Sequence, residues 1–265
     1  MNAGRSAVFL DEMGIGPLWR RRGMPLAEPA APVAVAAAAA AAAAEAEPVP
    51  APATIAVAEP FAPVVPEAPP ADDVAGMDWM RLKSTVAGCV KCGLCNGRTK
   101  TVFGVGDEKA KWLFIGEGPG RNEDLSGEPF VGPAGKLLDN MLRAIGLKRG
   151  ENAYIANIVK CRPTDDTGRD RPPTPEEAAA CLPYLQRQIA LIQPTVLVAL
   201  GKTAAVSLLE LGHDTPVSSL RGTVHRYAGL PLVVTYHPAY LLRNMADKRK
   251  AWADLCLATS AYASA

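Results

Sequence analysis

Residues 112–135 read WLFIGEGPGRNEDLSGEPFVGPAG. The apolar run Trp112–Ile115 stops at Gly116 and passes into a turn built from Gly116, Gly118, Pro119 and Gly120. A short apolar run closed by glycine reads as a buried strand, and the stretch that follows, Gly135–Ile145, carries helical periodicity. The same alternation continues along the chain. Further strand-like runs lie at Tyr154–Val159, Val196–Leu200 and Leu232–Tyr236, and further helical stretches at Pro175–Ile192 and Lys202–Leu211. Pro175 directly after Thr174, with Glu176 and Glu177 in the first turn, is a strong helix start. Pro183 inside that stretch should kink or split the helix. Strand–helix alternation predicts an α/β fold on a mostly parallel sheet, with the functional site at the carboxyl ends of the strands.

Averaged over 265 residues the chain carries a net charge of +1, which by itself argues against a strongly basic nucleic-acid binder. Six cysteines in this length do not make a disulfide framework. The average hides unlike segments. Residues 27–75 are almost entirely Ala, Pro, Val and Glu, with nine consecutive alanines from Ala36 to Ala44. They hold seven acidic residues and no basic one, so they carry −7. Alanine offers too little apolar area to form a core and the prolines break helices, so this segment reads as a disordered acidic linker. Residues 1–26 form a short amphipathic peptide in which Phe9, Leu10, Met13, Ile15, Leu18 and Trp19 sit between basic ends. That peptide carries +2, which leaves +6 for residues 76–265. A short apolar cluster at the end of a tether suits a docking motif. Alanine rather than leucine dominates behind Arg20–Arg22, and Glu28 interrupts the run, so the expectation is a cytoplasmic protein rather than an exported one.

Cys89-Val-Lys-Cys92 opens the remaining domain, with Cys95 three residues on, Cys161 at a strand end and Cys181 in a helix. In a reducing compartment such a set suggests metal or cluster ligation, and four thiolates fit either Zn²⁺ or a [4Fe–4S] cluster. The wide second spacing leans toward iron–sulfur, because zinc ribbons use two close pairs. Cys256, in an Ala- and Leu-rich helix, is expected in the core, and His213 and His225, without a motif around them, on the surface. The glycine-rich turn after the first strand suits close approach of a small ligand, but its spacing is not that of a dinucleotide fingerprint.

The segment GEGPGRNEDLSGEPFVGPAG at 116–135, NIVKCRP at Asn157–Pro163 and HPAYLLR at His237–Arg243 together resemble the family 4, iron–sulfur members of the uracil-DNA glycosylase superfamily. Cys89, Cys92, Gly97-Arg98-Thr99 and Phe103-Gly104 resemble that family's amino-terminal part. The resemblance covers about residues 80–255 and implies a three-layer sandwich with a central, mostly parallel four-stranded sheet flanked by helices. It implies a monofunctional, monomeric repair enzyme acting on uracil-containing DNA, single- or double-stranded, with a [4Fe–4S] cluster on Cys89, Cys92, Cys161 and Cys181. Cys95 is a rival ligand to Cys92. Glu117 and His237 would be catalytic. Gly118, Phe130 and Asn157 would bind the base, with Phe130 stacking on it and the Asn157 amide pairing with its edge. Leu241, Leu242 and Arg243 would enter the DNA, a Leu filling the gap left by the flipped base. Lys160, Arg162 and Arg221 would join Arg243 on phosphates.

Other members of the superfamily carry a water-activating Asp where this chain has Gly118; Glu117 is the first candidate for that work, and Glu123 and Asp124, expected on an exposed acidic turn, are runners-up. No His lies between Cys161 and Cys181, so covalent trapping of the sugar by a loop His, as in a related group, is not expected. Two other readings compete: a non-catalytic iron–sulfur DNA-binding module associated with replication, and a zinc-stabilised nucleotide hydrolase. Leu10-Asp-Glu-Met-Gly-Ile15 followed by Trp19 and Arg20–Arg22 resembles the start of the psi subunit of the bacterial DNA polymerase III clamp loader, which implies a replication-machinery partner for residues 1–26.

Overall fold

The computed structural model describes residues 74–265. The docking peptide at 1–26 and all but the last two residues of the linker at 27–75 lie outside the described residues. Val74–Gly76 forms a 3₁₀ turn with Val74 buried, so packed structure is present two residues before the expected boundary.

Six strands form one sheet, in the spatial order β1 (Val105–Gly106), β3 (Ala153–Asn157), β2 (Trp112–Gly116), β4 (Val196–Leu200), β6 (Leu230–Thr235) and β5 (Val224–Tyr227). Its middle is the expected set: β2 (Trp112–Gly116), β3 (Ala153–Asn157), β4 (Val196–Leu200) and β6 (Leu230–Thr235), all parallel. Every residue of β2, β3 and β4 is buried, which is why each reads as a continuous apolar run. Two antiparallel edge strands were not foreseen. β1 is only Val105–Gly106, and β5 (Val224–Tyr227) alternates exposed and half-buried residues. β5 joins β6 through Ala228 and Gly229, both at positive φ (48° and 82°), the geometry a tight hairpin needs.

Alternate side chains of the central strands feed two cores, one on each face. On one face Leu113, Ile115, Leu197 and Ala199 pack with helices α1 (Trp79–Ala87), α4 (Pro175–Ile192) and α5 (Lys202–Leu209). On the other, Trp112, Phe114, Val196 and Val198 pack with α3 (Pro133–Ala144), α7 (Pro238–Arg243) and α8 (Lys248–Ala263). Helix, sheet, helix: the three expected layers are present. Short helices α2 (Arg121–Ser126) and α6 (Val217–Leu220) complete the described fold.

Helix α4 runs unbroken through Pro183, so the expected split does not occur. Pro183 and Ala179, whose carbonyl loses its partner, are both exposed, so that carbonyl is not stranded in the core. The start of the helix is as expected: the Thr174 hydroxyl and the Glu177 carboxylate form a reciprocal capping box. Cys256 is half-buried rather than a core residue, and His213 is exposed. His225 is half-buried on β5, with Nε2 2.7 Å from the Leu220 carbonyl oxygen.

Candidate active site

Because the middle strands are parallel, their carboxyl ends deliver residues to one place. β2 ends in Gly116 and leads to Glu117 and Gly118, β3 ends in Asn157, and the turn after β6 carries His237. Glu117, Gly118, Glu123, Phe130, Asn157, Asp170 and His237 line one cleft. The structure thus brings together all five residues expected to be catalytic or to bind the base.

Asn157 is 2% exposed, and its Oδ1 has no hydrogen-bond partner. A buried amide oxygen left unpaired costs about 1–3 kcal/mol, so its orphan state points to a ligand that supplies the donor. Phe130 forms the facing wall, its ring centroid 5.4 Å from that of His237. It adopts φ 56°, a left-handed backbone that an aromatic residue rarely tolerates. Arg149 holds this conformation by donating to the carbonyls of Pro129 and Phe130, both at 2.8 Å, while paired with Asp139 at 2.9 Å. Glu123 accepts from the backbone N–H groups of Val131 and Gly132 at 3.0 and 3.2 Å. Glu123 therefore braces the Phe130 loop. Asp124 is not on an exposed turn; it is 3% exposed and accepts from the N–H groups of Thr99 and Lys100, tying down the amino-terminal segment.

Gly116 makes room for the base site. A Cβ there would lie 2.5 Å from Asn157 Oδ1 and 2.7 Å from the tip of the Phe130 ring. Gly116→Ala is therefore expected to displace both and to lower turnover about 100-fold, as an ångström of misplacement does, while cooperative unfolding persists. Steady-state kinetics beside a thermal melt checks this.

His237 caps the amino end of α7, and its Nδ1 accepts from the Ala239 N–H at 3.2 Å. The neutral ring accordingly carries its proton on Nε2, free to donate. Burial and then the Arg243 charge push its pKa down to about 4, so it is neutral at physiological pH. Glu117 is raised above the ordinary carboxylate value by burial, an effect opposed by a hydrogen bond donated by the Thr203 hydroxyl.

The rim is partly as expected. The polar loop at 162–175 borders the cleft through Pro163, Asp170 and Arg171, with Arg162 paired to Asp170 at 2.6 Å. Arg243 and Lys202 are exposed cations beside it. Three assignments are corrected. Leu241 is fully buried in the core, so extracting it to fill a DNA gap would forfeit about 2 kcal/mol of burial; of the pair only Leu242, 43% exposed, is available. Lys160 is 1% exposed and donates to the carbonyl of Asn157 at 2.9 Å and to Gln188 Oε1 at 2.6 Å, so it supports the site from within and cannot reach phosphate. Arg221 is committed to Asp254 at 2.7 Å and stacks on Tyr236.

A second cavity lies on the α4 side of the sheet. Cys89, Cys92, Cys95, Cys161 and Cys181 all line it, and none is in a disulfide. Cys161 Sγ accepts from Arg98 at 3.2 Å, Cys181 Sγ from the Lys160 N–H at 3.3 Å, and Cys89 Sγ from the Tyr184 hydroxyl at 3.3 Å. Arg98 also anchors this wall through the Cys89 carbonyl at 2.7 Å. Among the described residues no three His, Cys, Asp or Glu side chains converge tightly enough to grip a single metal ion. Several thiols spread around one cavity, with N–H and O–H donors aimed at their sulfurs, fit the thiolate donors of a cluster.

A parallel α/β sandwich whose strand ends enclose an unpaired amide, an aromatic wall and a neutral imidazole is built to take a planar, hydrogen-bonding ring and assist its departure. Residues 103–256 match the family model described as the uracil DNA glycosylase superfamily, and the chain belongs to that superfamily. It is 46% identical to a type-4 uracil-DNA glycosylase of Archaeoglobus fulgidus, over 59% of this chain and 79% of that protein. Type-4 enzymes of Thermotoga maritima (45% identical, 60% of this chain, 81% of the relative) and Pyrobaculum aerophilum (39%, 68% and 93%) are similar in the same way.

Proposed function

We propose that this protein flips uracil out of DNA and hydrolyses its N-glycosidic bond, leaving free uracil and an abasic site for base excision repair. The observation that carries the reading is the buried, unpartnered Oδ1 of Asn157 in a cleft that Phe130 also lines. Uracil presents an N3–H donor beside its O4 acceptor, and a single amide meets both; cytosine reverses the pattern at position 4 and leaves the amide mismatched. Phe130 stacks on the ring. As the bond breaks, negative charge grows on the uracil, and the Nε2–H of neutral His237 donates to O2 without transferring its proton. Glu117 faces the sugar side, where a carboxylate stabilises the oxocarbenium-like state and orients water. Gly118 lets this turn pack closely on Val159, whose Cγ2 would lie 2.7 Å from a Cβ there. Leu242 is the candidate wedge and Arg243 with Lys202 the candidate phosphate contacts.

The cysteine cavity would hold a [4Fe–4S] cluster on Cys89, Cys92, Cys161 and Cys181, with Cys95 as the rival to Cys92. The cluster supplies a structural staple there, joining the segment before β1 to the end of β3 and to α4. Cys161→Ala is expected to lose the brown colour and lower Tm by several degrees. Colour that survives in Cys161→Ala but vanishes in Cys95→Ala would refute this ligand set.

A neutral His237 also fixes a pH response. Its folded value of about 4 lies below the ordinary 6.5, so the unfolded chain binds the extra proton first. The stability due to this residue is therefore complete above pH 6.5 and is lost as pH falls toward 4. In chemical denaturation series, His237→Gln should flatten that part of the stability curve; an unchanged slope would contradict it.

No described helix is long and apolar enough to cross a membrane. The reading is tested on an oligonucleotide carrying one uracil. Conversion to an abasic site that breaks only on alkaline heating supports a monofunctional glycosylase. Binding without conversion would leave the non-catalytic DNA-binding module, and activity on free nucleotides the hydrolase reading.

A further inference from the structure

The turn after β4 touches both proposed catalytic groups, although no motif marked it. Gly201 has φ +95°, and a Cβ there would lie 2.9 Å from His237 Cβ, so the turn packs directly against the imidazole. Its N–H donates to the Thr235 carbonyl at 2.8 Å, fixing the turn to the end of β6. Two residues on, in the first turn of α5, the Thr203 hydroxyl donates to Oε2 of Glu117. Among the described residues it is the side-chain donor that this carboxylate has.

We infer that Thr203 is a positioning residue that pins one oxygen of Glu117 and leaves the other directed into the cleft. This rests on the proposed role of Glu117. A half-buried carboxylate on a glycine-rich turn has several rotamers, and a donor on a helix start selects one of them. The same bond favours the ionised form against the burial that disfavours it. Other charged groups face this part of the cleft: Lys202 from the same turn, Asp170 and Arg171 from the loop before α4, Glu123 from α2, and His237 and Arg243 at α7. None of them bonds Glu117, so removing the Thr203 hydroxyl should act on Glu117 specifically.

The test compares Thr203→Val, which keeps shape and loses the donor, with Thr203→Ser, which keeps the donor. The Val protein is expected to show about tenfold lower kcat with unchanged KM, and the acidic limb of its kcat–pH profile should move to higher pH. The Ser protein should restore both. Wild-type kcat and pH profile in Val, or a Ser protein as impaired as Val, would overturn the inference. Iron content and Tm confirm folding; if Val does not fold, Thr203→Ala replaces it with the same expected and contrary results. Glu117→Gln separates the two levels. If it retains full activity, the role of Glu117 fails; if it is inactive while Thr203→Val is unimpaired, only the positioning inference fails.

Discussion

His237→Ala lowers kcat for uracil excision by about 10²–10³-fold and leaves affinity for uracil-containing DNA nearly intact, the cost expected on removing one preorganised donor to a developing oxyanion. The two effects separate because His237 lines the cleft, half-buried, while the candidate phosphate contacts Arg243 and Lys202 are exposed on the rim. Its Nδ1 is committed to the Ala239 N–H at 3.2 Å, so the protonated Nε2 is already oriented before substrate arrives. Burial keeps the ring neutral, so the donor strength is constant from pH 8 down toward its folded value of about 4. Single-turnover rates beside a DNA-binding titration check this. Equal losses in rate and affinity would show that His237 holds DNA rather than the departing base.

Asn157→Ala has an effect of the same order and a different signature. In the closed cleft, truncation leaves uracil O4 and N3–H both unpaired at about 1–3 kcal/mol each, which together slow excision by of order 10³-fold. The residual activity should no longer favour uracil over cytosine, since the remaining wall, Phe130, stacks on either ring. The substitution is expected to cost little stability, because Oδ1 bonds nothing in the described structure and the Lys160 ammonium holds the backbone carbonyl, which alanine retains. A large loss of Tm would instead assign Asn157 a structural role. Preserved uracil preference in the residual activity would move base reading elsewhere.

Much of this arrangement was legible in the chain because parallel sheets advertise themselves. A strand buried on both faces reads as a near-continuous apolar run, and WLFIG, VLVAL and AYIA before Asn157 are such runs. The glycine turn after the first of them marks where the backbone must approach a ligand. The edge strands were silent for the opposite reason: Val105–Gly106 is too short to show a period, and the Ala228-Gly229 hairpin lacks the usual Asn-Gly signal.

At the site, the groups proposed to touch the base were readable, and those that hold them were not. Arg149 reaches Phe130 from the turn after α3, and Lys160 reaches the Asn157 carbonyl and Gln188 from the end of β3. Neither belongs to a local pattern, since such contacts are set by how layers pack. Leu241 and Leu242 are equally apolar in sequence; only the phase of α7 against the core decides that the first is buried and the second exposed. The net charge misled for a related reason. An acidic segment at 27–75 masks a domain carrying +6, and an average over both suggests no affinity for nucleic acid.

The central claim is that this cleft releases an intact base from DNA. It is tested most directly by incubating the native, iron-loaded protein with uracil-containing oligonucleotide and quantifying free uracil and abasic strand in the same reaction. The expected result is both products in equal amounts over many turnovers, with no free cytosine from a matched control. Tight DNA binding by brown, iron-loaded protein with no free uracil released would contradict it.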